Sequence, residues 1–229
     1  MITQSGTRGP GARGVPLVAV LIVLALVSGM IDAVSFLELH HVFTANMTGN
    51  VIVLGFAAAG AQEFSVPHTT TSLACFLVGA VSGGRMLKRM GGRPRRTRAR
   101  AALAAEAAPV GTAAVVALAV PATGGVTYAL IGLTAFAMGL RNATVRKLAV
   151  PGLATTTVVT MTLTGLAAES PLGSGSGGRI RRRAALVVAL FTGASAGAWL
   201  ALHRGPGLPL LVAALLVAAL AVTVSGQED

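Results

Sequence analysis

Charge is scarce in this sequence. Only 11% of its 229 residues are charged, 54% are hydrophobic, and the mean hydropathy is +0.77. A soluble domain carries about 25% charged residues, so a soluble protein is excluded. Cysteine is scarcer still. Cys75 stands alone, which excludes an intrachain disulfide and a cysteine metal cluster; it reads as a packing residue. No nucleophile–base set, phosphate loop or zinc spacing is found, so no enzyme activity, cofactor or metal is expected. His40 and His41 are adjacent, and adjacent histidines do not share a helix face.

What the sequence has instead is long apolar runs. Eight segments stand out, roughly 15–39, 42–61, 69–87, 101–120, 124–148, 150–169, 184–203 and 207–225. A run near 20 residues spans a bilayer core of about 30 Å. The first run is long, lacks a small-residue cleavage site and leads into a polar motif, so it reads as a retained helix and not a signal peptide. Residues 1–14 read as a disordered cytoplasmic N-terminus, 15–225 as one transmembrane domain, and 226–229 as a C-terminal tail. The loop Gly91 to Arg100 and the stretch Gly173 to Gly178 also look disordered. No spacer is long enough for a soluble domain.

The net charge of +11 is confined to short stretches: Arg85 to Arg100, Arg141 to Lys147, and Arg179 to Arg183. That is the pattern of cytoplasmic loops in contact with anionic lipid, and it argues against nucleic acid as a partner. It also orients the chain. If all eight segments cross, 12 Lys and Arg lie inside and 6 outside. If the second and sixth segments return to the side they left, the division is 17 to 1, and both termini are inside. Return of the sixth alone gives 15 to 3, a close competitor. The expected fold is an all-α polytopic transmembrane bundle with about six full spans and two polar, broken or re-entrant segments.

The two halves, about 15–120 and 124–225, resemble each other. Gly29-Met30-Ile31-Asp32-Ala33 matches Gly139-Leu140-Arg141-Asn142-Ala143 at an offset of 110. Thr44 and Thr48 match Thr156 and Thr160 at 112, and Gly79-Ala80-Val81-Ser82-Gly83 matches Gly193-Ala194-Ser195-Ala196-Gly197 at 114. With six spans the repeat is inverted, and such folds place a site near the midplane where broken helices meet.

Asp32 follows a long apolar run, where a carboxylate costs about 2.5–3.5 kcal/mol at a helix centre. Its position suits a proton or cation site, a carboxylate that orders the polar motif beside it, or a residue near the helix end that reaches interfacial water. In Thr44-Ala45-Asn46-Met47-Thr48-Gly49-Asn50, Thr44 and Thr48 are one helical turn apart, as are Asn46 and Asn50. Gly49 permits backbone geometry that other residues resist. Thr156, Thr160 and Thr164 form the matching stripe, and Asn142 is the repeat partner of Asp32. These residues suit a pathway for a small polar solute or ion; helix–helix hydrogen bonding is the plainer alternative. Arg141, Arg146 and Lys147 mark a cytoplasmic helix end, with Arg141 also weighed as a counter-charge to Asp32. Glu106 is expected at the interface. Gly79/Gly83 and Gly193/Gly197 are GxxxG pairs for helix packing, within the chain or between copies in a homo-oligomer.

Those motifs resemble the YoaK family of bacterial inner-membrane proteins, a domain of unknown function. Its G-x-x-D-A motif corresponds to Gly29, Asp32 and Ala33; its T-G-N motif to Thr48, Gly49 and Asn50; its Arg-Asn and Thr-rich stretch to Arg141, Asn142 and Thr155 to Thr164. Met161 stands where family members usually carry Gly. The resemblance runs over residues 17 to 223 and implies about six spans, a multi-pass inner (plasma) membrane location and no established substrate. The functional expectation is a small-solute or ion transporter or channel. A non-transporting scaffold or regulator is the alternative, and an intramembrane enzyme is weakened by the missing catalytic set.

Overall fold

The computed structural model describes residues 17–147, 155–169 and 180–224. The N-terminal stretch 1–14, the Gly-rich stretch 173–178 and the tail 226–229 lie outside the described residues. Among those described there are eight helices and no strand: α1 (Leu17–Glu38), α2 (Met47–Ala58), α3 (Val66–Arg89), α4 (Arg95–Ala119), α5 (Gly124–Lys147), α6 (Thr155–Ala168), α7 (Ile180–Arg204) and α8 (Gly207–Thr223).

Length sorts these helices. Four stretches are long and apolar enough to cross a membrane: Ala19–Glu38, Val66–Arg89, Arg95–Ala119 and Ile180–Arg204. α5 has 24 residues but carries several polar side chains, and α8 is apolar with 17 residues. α2 and α6, with 12 and 14 residues, are only about 18 and 21 Å long at 1.5 Å per residue, short of a bilayer core of about 30 Å.

The expectation of a disordered loop from Gly91 to Arg100 is corrected. α4 begins at Arg95, and only a tight turn separates it from α3. The arginines there have a structural task. Arg96 Nε donates to the Val224 carbonyl at 3.2 Å, and Arg100 donates to the carbonyls of Ala221 and Val222. Cations at the carbonyl end of α8 satisfy its unpaired acceptors and its dipole.

Helix direction follows from these contacts. α4 and α8 are antiparallel, since the start of α4 meets the end of α8. α1 and α7 are parallel: Leu26 and Met30 of α1 meet Gly193 and Gly197 of α7 in ascending order. α3 and α5 are parallel by the same test, with Gly79 against Phe136 and Gly83 against Leu140. Because α3 and α4 share a tight turn, as do α7 and α8, all six long helices can be assigned to two ends. α1 finishes at the end where α3 starts, and α5 finishes at the opposite end, where α7 starts. Arg204 sits at the first end, whereas Arg89, Arg95, Arg146 and Lys147 sit at the second.

Glycine makes the parallel pairs possible. A Cβ on Gly29 would overlap the Leu190 carbonyl oxygen, and one on Gly139 would overlap that of Phe76. Likewise Gly193 lies on the Leu26 carbonyl and Gly79 on that of Phe136. Each contact has a counterpart under the offsets of 110 and 114 read in the sequence. These helices touch backbone to backbone, the arrangement small residues permit. The GxxxG pairs are therefore used within the chain. Outside, Leu77, Val78, Phe191, Trp199, Leu202 and Leu215 are among the large apolar side chains left exposed, an apolar exterior suited to lipid.

Substituting Gly193 by Val is expected to destabilise the protein by about 1–3 kcal/mol through overpacking, read as a lower thermal midpoint in detergent. Gly84→Ala, at a helical position with open space around it, is expected to leave the midpoint unchanged or slightly raised.

Candidate functional site

α1 is almost wholly apolar, and three of its polar residues, Ser28, Asp32 and Ser35, recur at helical spacing on one face. Ser35 Oγ donates to the Asp32 backbone carbonyl at 3.1 Å. Asp32 is a half-buried residue. Its Oδ1 accepts the backbone N–H of Thr44 at 3.2 Å and of Ala45 at 2.9 Å, and the N–H of Asn46 also faces it. Successive N–H groups of this kind form an anion-binding concavity, here turned onto a carboxylate of the same chain. Asp32 thus fixes the path of the chain into α2.

That path requires a sharp reversal after α1. His40 and His41 both adopt left-handed backbone, with φ of 60° and 57°, a region few non-glycine residues enter and in which His, like Asn and Asp, is enriched. Ring contacts hold the reversal: His40 stacks on His68 at 4.3 Å, and His68 on Tyr128 at 4.4 Å.

The polar motif is arranged differently from a single helical stripe. Thr44 and Asn46 precede α2, so neither pairs along a helix face with Thr48 or Asn50 as the spacing predicts. The reason is capping: Asn46 is the N-cap of α2 and accepts the Gly49 N–H at 3.1 Å. Gly49 is also constrained by the Phe43 ring, which a Cβ would strike. Asn50 is fully buried, and its side chain accepts the Phe43 N–H at 2.9 Å while donating to the Phe43 carbonyl at 2.6 Å and to Ser72 Oγ at 3.2 Å. It ties the reversal to α2 and α3. Thr48 is exposed. Thr44 is 0% exposed, and its Oγ1 has no hydrogen-bond partner among the described residues.

Two expectations about charged residues are corrected. Arg141 does not mark a helix end in interfacial water, and Glu106 is not interfacial; their side chains are buried, with residue exposures of 3% and 1%. Arg141 Nη2 is paired with Glu106 Oε1. Arg141 Nη1 donates to Ser28 Oγ at 2.6 Å and to the Leu24 carbonyl at 3.1 Å. Burial forces the pairing, since an unpaired charge in an apolar interior is far costlier than a paired one. The direct counter-charge of Arg141 is Glu106, although Arg141 is close enough for its charge to act on Asp32. Glu106, Arg141 and Ser28 thus join α4, α5 and α1 by hydrogen bonds, and Asp32 lies one helical turn from Ser28, within reach of the Arg141 charge.

The second half contributes less to this cluster. Asn142 is partly buried, and its Nδ2 lacks a partner among the described residues. Thr160 and Thr164 face outward, Thr162 is buried, and the side chain of Thr156 lies outside the described residues. Sequence reasoning missed Ser28, Ser72 and the Glu106–Arg141 pairing. One signal was available: a lone acid and a lone base within apolar segments call for each other.

Glu106→Gln or Arg141→Gln alone is expected to lower stability by about 3–5 kcal/mol, because each removes one partner of a buried, hydrogen-bonded ion pair. The double variant Glu106→Leu with Arg141→Met is expected to lose less than either single variant; thermal midpoints of the three decide it, and additive losses would show that the two do not act as a pair.

Comparison with known proteins agrees with the resemblance noted above. Residues 20–223 match the family described as protein of unknown function (DUF1275). The UPF0700 transmembrane protein YoaK of Bacillus subtilis (strain 168) is 32% identical over 149 residues, a match that spans 64% of this chain and 64% of that relative. No solved structure matches the chain. With its apolar helices and this transmembrane relative, the protein is a membrane protein, and it belongs to the DUF1275 family.

Proposed function

We propose that the protein is a transporter or channel for a small solute or an ion, built as an inverted repeat of six full spans with α2 and α6 re-entrant. The observation that carries this reading is the cluster of buried Glu106 and Arg141 with half-buried Ser28 and Asp32, beside a fully buried Thr44 hydroxyl that has no hydrogen-bond partner among the described residues. Ionisable groups inside membrane segments are expensive, and they mark solute, ion and proton pathways. The matched glycine contacts support the repeat, because each contact of one half has its counterpart in the other. The short re-entrant α2, entered through backbone fixed by Asp32, is the kind of broken element that lines such sites.

In this reading the end that carries Arg89, Arg95, Arg146 and Lys147 faces the cytoplasm of the inner (plasma) membrane, with both termini. Its basic side chains meet anionic lipid, and the exposed apolar flanks leave room for a homo-oligomer.

A second reading has its own observation. Asn50 spends its donors and acceptor on Phe43 and Ser72, as helix glue in a non-transporting scaffold or regulator would.

Reconstitution in liposomes with a panel of solute and proton fluxes separates the two. Wild type is expected to carry at least one flux that Asp32→Asn reduces roughly tenfold or more, the equivalent of about 1.4 kcal/mol. A flux indifferent to Asp32→Asn would sink the role of this site. Topology is checked with single cysteines in a Cys75→Ser background. Glu38→Cys and Gln62→Cys are expected to react with a membrane-impermeant thiol reagent from the same, periplasmic side; labelling from opposite sides would mean that α2 crosses.

A further inference from the structure

The buried network does not balance its charge. Asp32 and Glu106 are acids, and Arg141 is the base that joins them. The hydrogen bonds of Arg141 go to Glu106, Ser28 and the Leu24 carbonyl, and it is the charged side chain that acts on Asp32. Glu106 is therefore neutralised by contact, and one net negative charge remains at Asp32, met by backbone N–H dipoles and the more distant Arg141 charge but by no cation in contact among the described residues. A carboxylate in an apolar bundle is costly, and a proton or a bound cation relieves it.

The stereochemistry provides a place for that charge. Of the three backbone N–H groups that face Asp32, those of Thr44 and Ala45 bond to Oδ1, and Oδ2 has no hydrogen bond of good geometry among the described residues. Thr44 donates its N–H to Oδ1 at 3.2 Å, so covalent geometry keeps its own Oγ1 within a few ångströms of the carboxylate. That hydroxyl is fully buried and has no hydrogen-bond partner among the described residues. A buried polar atom left unpaired costs about 1–3 kcal/mol. A hydroxyl has two acceptor lone pairs and one donor, so it can ligate a cation or accept a proton held on Oδ2. Access is short, because Asp32 is partly exposed and lies six residues before the last residue of α1, about 9 Å along the axis.

We propose that Asp32 and Thr44 form the site of a single univalent cation, a sodium ion or a proton, taken up to balance the Asp32–Glu106–Arg141 network. This deepens the transport reading, and it rests on that reading only where the cation is taken to drive movement of a solute.

The test uses the full chain in nanodiscs, with two arms for the two ions. In the sodium arm, radioactive sodium is expected to bind at one ion per chain, and sodium chloride is expected to raise the thermal midpoint above choline chloride at equal ionic strength. In the proton arm, infrared difference spectra at neutral pH are expected to show a protonated carboxyl band that Asp32→Asn removes. Either positive arm supports the proposal and names the ion. Thr44→Val keeps the shape of the side chain without its hydroxyl; it is expected to weaken sodium binding about tenfold or more, or to shift the carboxyl band. Glu106→Gln releases Arg141 to Asp32 and is expected to abolish uptake although Asp32 is intact. Wild-type protein that binds no sodium and shows no protonated carboxyl overturns the proposal, and this measurement needs no variant to fold. Solute flux without cation uptake overturns the proposal and leaves transport standing. Uptake without any flux supports the site and removes its coupling role.

Discussion

The closeness of α1 to α7, and of α3 to α5, is the constraint on which the rest of the structure depends. At Gly29, Gly79, Gly139 and Gly193 the backbone of one helix lies on a carbonyl of its partner. Lipid is as apolar as the helices, so burial of apolar surface cannot drive their association; close packing must do it. Once these pairs are formed, Leu24 and Ser28 of α1 are held where the side chain of Arg141 from α5 can reach them. α4 then supplies Glu106. The ion pair is thus a product of backbone geometry as much as of charge.

The same closeness positions Asp32. Four residues beyond Ser28 on α1, it faces the returning chain, and three backbone N–H groups converge on it. The reversal through His40 and His41 and the start of α2 both depend on that carboxylate. Asp32 therefore serves the fold and remains exposed enough to meet a ligand, whereas Asn50 is wholly consumed by structure. The two most unusual polar residues of the first half are chemically alike in the sequence and differ in how much of their hydrogen-bonding capacity is left over.

Much of this fold was legible beforehand. Apolar run lengths marked the helices, and glycine spacing marked the close contacts. What the sequence obscured has physical causes. An N-cap and a helix-interior asparagine look alike in a seven-residue motif, so the start of α2 at Met47, after Thr44 and Asn46, was hidden. A basic run such as Arg95 to Arg100 reads as solvated loop unless the carbonyl end of another helix needs it, and α8 supplies that end from more than 120 residues away. Arg141 lies close to Arg146 and Lys147 in the chain, and only its depth in the bundle separates it from them.

The pairing of α1 with α7 has a consequence for biosynthesis. α1 is made well before α7, the helix that covers its glycine face, with five helices between them. Until α7 is made, α1 must wait in the bilayer with Gly29 and the polar face of Ser28 and Asp32 turned towards lipid or towards the insertion machinery. Contacts so distant in sequence slow folding. A chain interrupted after α4 would leave α1 and α3 without the helices they pack against, so truncated products are natural targets for quality control. Conversely, the two halves made as separate chains would have every reason to find each other.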